Sequence, residues 1–336
     1  MTTVAQKLLN MFTVPSVSLE WGSHRSEFGL QEHIGFEQSH GEDEWVNLGN
    51  PITGRPLSVF LPRPVTYHLR NVTFEPRLGT VSIDGFPIRE SLPYYYQCPF
   101  PPKRSAAFVR KSFPRVATAL NLQSNYHHFL LEDLPRLILL KKKHGCGAVF
   151  SGGWRTPGFV YDFLERLEVD VIPLSTRRKY DELWFTAVVG QLGVPSQYGA
   201  KLVREAFPPR SDSKIERIYI SRQGAQRSFF NEDLLANELV NHGFSVVHLE
   251  KMNIDQQISI MAGAKLVVAP HGAGLANMTF LRDGARVVEI SDCSYSNPVF
   301  QALASDRLQF SQIFAGGDHE GDELDLRKAV LKEIGS

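Results

Sequence analysis

The sequence of 336 residues has only three cysteines, Cys98, Cys146 and Cys293, and they lie far apart. With no C-x-x-C pair, neither a disulfide framework nor a zinc ribbon is indicated. No charge sign is in excess, since Lys plus Arg and Asp plus Glu number 36 each. That balance argues against a dedicated nucleic-acid binder, which carries a basic surplus, and leaves room for local basic pockets. No apolar run approaches the roughly 20 residues of a membrane-spanning helix. The opening stretch MTTVAQKLLNMFTVPSVSLEWG lacks the positive cluster and long apolar core of a signal peptide, so a reducing cytoplasm is the expected compartment. No G-K-S/T follows a glycine loop, and no G-x-G-x-x-G follows a first strand. The P-loop and the nicotinamide fingerprint are therefore missing.

What is present is apolar material for a sizeable core, 43% of residues, in a length that suits about two domains. Residues 1–115 alternate polar and apolar with Pro and Gly punctuation, and read as a β-rich segment packed on the domain that follows. From there the pattern becomes βαβ. SNYHHFLLEDLPRLILLKKKHG reads as a helix closed by Gly145, CGAVFSGG as a strand, TPGFVYDFLERLEV as a helix, and DVIPLS and YDELWFTAVV as strands. A polar, proline-bearing stretch at 193–214 reads as the link and hinge. Boundaries follow at 116–205 and 206–336. The second series is cleaner: RIYIS, SVVHL, KLVVAP and ARVVEI are short apolar strands, with amphipathic helices between them. That alternation predicts an α/β fold of two Rossmann-like domains with parallel sheets. The terminal GDELDLRKAVLKEIGS reads as one amphipathic helix.

In such sheets ligands bind beyond the carboxyl ends of the strands. In the second half those ends deliver Ser221 and Arg222, with Arg227 in the loop after them. They also deliver Glu250, then His271, Gly272, Ala273 and Gly274, then Glu289, Ser291 and Asp292. Glycines let a backbone approach a ligand closely, and a helix entrance offers free N–H groups at the positive end of its dipole. Arginines match phosphate oxygens, and carboxylates accept ribose hydroxyls. The set predicts a pocket for a nucleotide diphosphate. Asn277, one turn into the helix, reads equally well as a ligand contact or as part of a solvated face. In the first half, His128 and Glu132 are four apart and share a helix face, with Arg136 one turn further. A histidine oriented by a carboxylate suits a general base, and a plain ion pair is the competing reading. Asp133 is off that face, and Pro135, which should kink the helix or restart it, could re-aim it.

NYHHFLLEDLPRL, YISRQGAQRSFFNED and GFSVVHLEKMNIDQQISIMAGAKLVVAPHGAGLANMTFLRDGARVVEI together resemble glycosyltransferase family 61 over residues 120–292. The resemblance implies an inverting glycosyltransferase of the two-domain GT-B type. It places the acceptor, a glycan or lipid-linked glycan, on the first domain and a nucleotide-sugar donor, with UDP the expected carrier, on the second. It implies no metal and no further cofactor, in keeping with a sequence that has no D-x-D. Arg222 and Arg227 match the family's arginine pair, and Asn231 and Glu232 its N-E pair, read here mainly as a helix cap. His271, Gly272, Ala273, Gly274 and Asn277 match its H-G-A-G-x-x-N, and Asn125, His128 and Glu132 its N-x-x-H-x-x-x-D/E. Such enzymes build capsule or lipopolysaccharide glycans on the cytoplasmic side, where peripheral membrane contact and a homodimer are both allowed. A catalytically inactive nucleotide-sugar-binding or scaffold protein stays open as the alternative.

Overall fold

The computed structural model describes residues 32, 34–49, 56–76, 80–88, 91, 117–119, 125–151, 156–174, 177–187, 189–190, 194–223, 232–292, 298–315 and 320–335. They fall into two compact units, one within 1–44 and 61–193, the other within 45–60 and 194–336.

The first unit is built on one mixed sheet. Its strands are β1 (Ile34–Ser39), β4 (Val65–Glu75), β5 (Thr80–Ile83), β6 (Phe86–Pro87), β7 (Ala117–Ala119), β8 (Ala148–Ser151), β9 (Asp170–Pro173) and β10 (Arg178–Thr186), in the order β6-β5-β4-β10-β7-β8-β9 with β1 also on β4. Strands β10, β7, β8 and β9 run parallel, whereas β4 lies antiparallel to β10 over most of its length. The N-terminal strands are thus not a layer laid upon the next domain. The eleven-residue β4 is hydrogen-bonded into that domain's own sheet, so the parallel strands β10, β7, β8 and β9 carry an antiparallel extension. Tyr67, Leu69, Phe74, Phe150, Leu183 and Phe185 are buried together as its core. Two strands of the N-terminal region, β2 (Glu44–Gly49) and β3 (Pro56–Leu61), form a separate ribbon.

Helices α1 (Tyr126–His128) and α2 (Leu134–His144) are joined by a π-helical turn over Phe129–Asp133. Pro135, in the first turn of α2, explains the break. It has no N–H for the carbonyl four residues back, and its ring crowds that carbonyl, so the winding widens before it. Gly145 ends α2 at φ 66°, a left-handed conformation that costs glycine least, and its amide donates to the Leu140 and Lys141 carbonyls. Helix α3 (Gly158–Arg166) crosses from β8 to β9.

The second unit is doubly wound. β11 (Arg217–Ile220), β12 (Ser245–Val247), β13 (Leu266–Pro270), β14 (Arg286–Asp292) and β15 (Gln309–Ala315) lie in the order β12-β11-β13-β14-β15, every pairing parallel. Around them run α4 (Gln197–Ala206), α5 (Glu232–Asn241), α6 (Ile254–Gly263), α7 (Val299–Ala304) and α8 (Glu320–Ile334). Much of the polar stretch 193–214 is therefore helix, wound from Ser196, whose hydroxyl accepts from the Gly199 amide. Tyr219, Leu239, Val268, Val288, Ile290 and Val330 form one core. Among the described residues no helix is long and apolar enough to cross a membrane.

Candidate active site

The polar residues of the second unit gather where β11, β13 and β14 end. Beyond β11, Arg222 is held at its backbone by Glu232, the first residue of α5. One oxygen of that buried carboxylate accepts the Tyr219 hydroxyl at 3.0 Å, the Ser221 hydroxyl at 2.9 Å and the Arg222 amide at 2.6 Å. Burial, and then the Glu232 charge, push the Tyr219 phenol above its ordinary range, so it serves as a fixed donor. Glu232 is thus a clamp on the strand end rather than the helix cap expected of it. The only hint in the sequence was a hydroxyl pair, Tyr219 and Ser221, ten or so residues before an acid at a helix start.

The Arg222 guanidinium turns onto β13 and donates to the carbonyl of His271. It lies flat against Gly272. A Cβ placed there would stand 2.5 Å from Nη1 and 2.8 Å from Cζ. Gly272 is therefore needed for the arginine. At Gly274 a Cβ would meet only Ile220 and Leu249, at 3.5 and 3.6 Å, which is ordinary contact. Nothing in the fold demands that second glycine. Residues Ala273–Phe280 wind as a 3-10 helix where an α-helix was expected. The Gly274 and Met278 carbonyls accept side-chain N–H groups instead, from Asn277 at 3.3 Å and from Arg307 at 2.9 Å. Asn277 is only 1% exposed, which removes the solvated-face reading. Its amide also donates to Gln257, 3.2 Å away, and Gln257 in turn donates to the Leu249 and Met252 carbonyls. Asn277 therefore braces the turn.

His271 donates through Nδ1 to Glu289, and its ring meets Phe300 edge-on at 5.2 Å. Glu289, expected as a ligand to the donor, is 1% exposed inside β14 and is committed to the histidine. Glu250 is 60% exposed in the 3-10 turn after β12, 3.6 Å from His248. Arg227 and Asn231 lie outside the described residues, as does the side chain of Asp292.

In the first unit, His128 Nδ1 is 2.6 Å from Glu132 Oε1, with both side chains buried. A carboxylate can only accept, so the proton sits on Nδ1 and any base chemistry falls to Nε2. Asn125 caps α1, its side chain accepting the His127 amide at 2.9 Å. Arg136 pairs with Asp133, three residues back, at 3.6 Å. Its Nε donates to the Thr186 carbonyl at 2.8 Å, and burial lowers its pKa to about 10 against the pull of Asp133 and Glu132. It remains a cation, and it compensates one of the two buried acids.

Residues 126–288 match the profile of the family Glycosyltransferase 61. An EGF domain-specific O-linked N-acetylglucosamine transferase of Drosophila melanogaster is 33% identical over 93 residues, 27% of this chain and 18% of that relative's length. Among solved structures, E. coli ADP-heptose lps heptosyltransferase II is 12% identical, with a TM-score of 0.35 over 66% of this chain and all of the other. The heptosyltransferase TibC, dodecameric and iron-containing, is 10% identical, with a TM-score of 0.32 over 86% of this chain and 82% of the other. Residues 126–288 are thus similar to the glycosyltransferase 61 family.

Proposed function

We propose that the chain is an inverting, metal-independent glycosyltransferase of GT-B type. It moves a sugar from a nucleotide-sugar donor, with UDP as carrier, to a hydroxyl of a glycan or lipid-linked glycan. The observation that carries this reading is the fit of Arg222 against Gly272 and the His271 carbonyl, beside the opening turn of the 273–280 helix. A guanidinium and free helix-entrance amides at the carboxyl ends of parallel strands suit a diphosphate. The family match adds the transfer chemistry.

His128, its Nδ1 committed to Glu132, takes the acceptor hydroxyl proton on Nε2, with Asp133 the reserve base. The acceptor oxygen bonds to the anomeric carbon as the bond from that carbon to the diphosphate oxygen breaks, in one displacement with inversion. The negative charge that develops on the departing diphosphate is met by Arg222, Arg227 and the amides of Ala273 and Gly274. A cytoplasmic setting and a cell-surface glycan product belong to the same proposal.

The test is a thermal-shift panel of UDP, GDP, CMP, ADP and NAD with chelator present, on wild type and Arg222→Ala. A shift with UDP that disappears in the variant is expected. A shift with NAD alone, or with no nucleotide, would overturn the reading.

A further inference from the structure

Glu289 poses a problem that the phosphate cradle does not solve. It sits in the middle of β14 between the buried Val288 and Ile290, and it is 1% exposed. A buried carboxylate is costly, and an apolar side chain there would serve stability as well or better. Its two oxygens have distinct uses. One accepts from His271 Nδ1. The other accepts from the Nε2 of Gln312, 2.9 Å away on β15, the residue directly opposite in the parallel register. The same Gln312 nitrogen donates its second hydrogen to the buried Ser291 hydroxyl at 2.7 Å. Turning the amide over would set its oxygen against the carboxylate, so the network fixes its direction. A run of polar contacts thus crosses three neighbouring strands and ends on the imidazole at the turn.

We propose that Gln312 is a positioning residue. Through Glu289, which accepts a hydrogen bond from Nδ1–H, it fixes the orientation of His271, and the imidazolium then donates its Nε2–H to the phosphate oxygens of the donor. The inference rests on the reading of residues 271–274 as the phosphate cradle. Gln312 and Ser291 touch no ligand in this account. They hold Glu289 in place, as outer partners hold a ligating histidine. With Nδ1–H given to Glu289, the ring meets a phosphate oxygen through Nε2, which donates only when it too carries a proton.

The experiment uses the full chain, with inorganic pyrophosphate and UDP as probes. Gln312→Met keeps the volume and removes the donor. Histidine-selective nitrogen NMR reads the protonation of both His271 nitrogens in the pyrophosphate complex, the signal being assigned by its loss in His271→Asn. Calorimetry reads binding. Wild type should show His271 protonated on both Nδ1 and Nε2. Gln312→Met should lose the doubly protonated signal and bind both probes about tenfold more weakly, the size of one oriented hydrogen bond to a charged group. If Gln312→Met fails to melt cooperatively, Ser291→Ala takes its place, with the same change in protonation expected and a smaller loss of affinity. A variant that folds, keeps the wild-type protonation and binds pyrophosphate as wild type does overturns the inference and leaves the cradle standing. A wild type that binds neither probe overturns both.

Discussion

Arg222, Gly272 and Gly274 can be separated by substitution, because the two glycines answer to different demands. Arg222→Ala should raise the barrier to transfer by about 2–4 kcal/mol, read from kcat/KM. Gly272→Ala should reproduce much of that loss without unfolding the chain, since the added methyl displaces only the end of a flexible side chain. Gly274→Ala meets no obstacle in the fold. It should melt as wild type does and still bind UDP more weakly, as calorimetry would show; unchanged affinity would mean that no phosphate approaches that backbone. His128→Ala should lower kcat by about two to four orders of magnitude while the KM for the donor stays near wild type. At this scale the sequence was legible where a residue type has few uses. Within the second unit His271 and Gly272 lie against Arg222, and within the first His128 meets Glu132. It was less legible for Glu232, Glu289 and Asn277, because a polar residue in a βαβ pattern looks the same whether it meets a ligand or braces the fold. Burial separates those cases, and burial depends on neighbours distant in sequence.

Among the elements, the π turn at Phe129–Asp133 has the most specific consequence. It follows directly on His128 and carries Glu132, which meets His128, and Asp133, which meets Arg136. Pro135→Ala restores the missing N–H and allows the helix to close as an α-helix. That would turn His128 and Glu132 by about 100°, one residue of winding, relative to α2. Melting should hold or rise while kcat falls; a fall in both would show that the turn is not held open by the proline. The Glu232 clamp joins two elements, β11 and α5. Glu232→Ala leaves a buried phenol, a hydroxyl and an amide without their acceptor, and should cost about 3 kcal/mol in urea unfolding. The sequence marked a break at Pro135 but could not say that it would be met by widening. Propensity names where a helix is disturbed, and packing decides how. The 3-10 winding after β13 was hidden for the same reason, since side chains of Asn277 and Arg307 take the carbonyls.

At the scale of the molecule, four of the five strands of the second unit's parallel sheet were readable because they are short apolar runs between amphipathic helices, whereas β15, QFSQIFA, mixes polar with apolar residues and went unread. The sheet of the first unit was not readable. β4 pairs with β10 across more than a hundred residues, and no local pattern reports a partner so distant. The same region governs acid stability. His40 is buried with Nε2 2.9 Å from Thr66 Oγ1, and burial, then His144 and Lys143, lower its pKa to about 4. A histidine held neutral in the fold and free to protonate when unfolded contributes stability that is complete above about pH 6.5 and lost as pH falls toward 4. The urea midpoint should therefore drop between pH 7 and pH 5, and drop less in His40→Asn. The central claim, sugar transfer without a metal, is tested most directly by turnover. The full chain would be incubated with UDP-sugars, a mixed glycan acceptor and chelator, and the product's anomeric configuration read by NMR. A product of inverted configuration, lost in Arg222→Ala and in His128→Ala, is the result predicted. Turnover that appears only when a divalent ion is restored, or a product that retains the donor's configuration, would contradict the account.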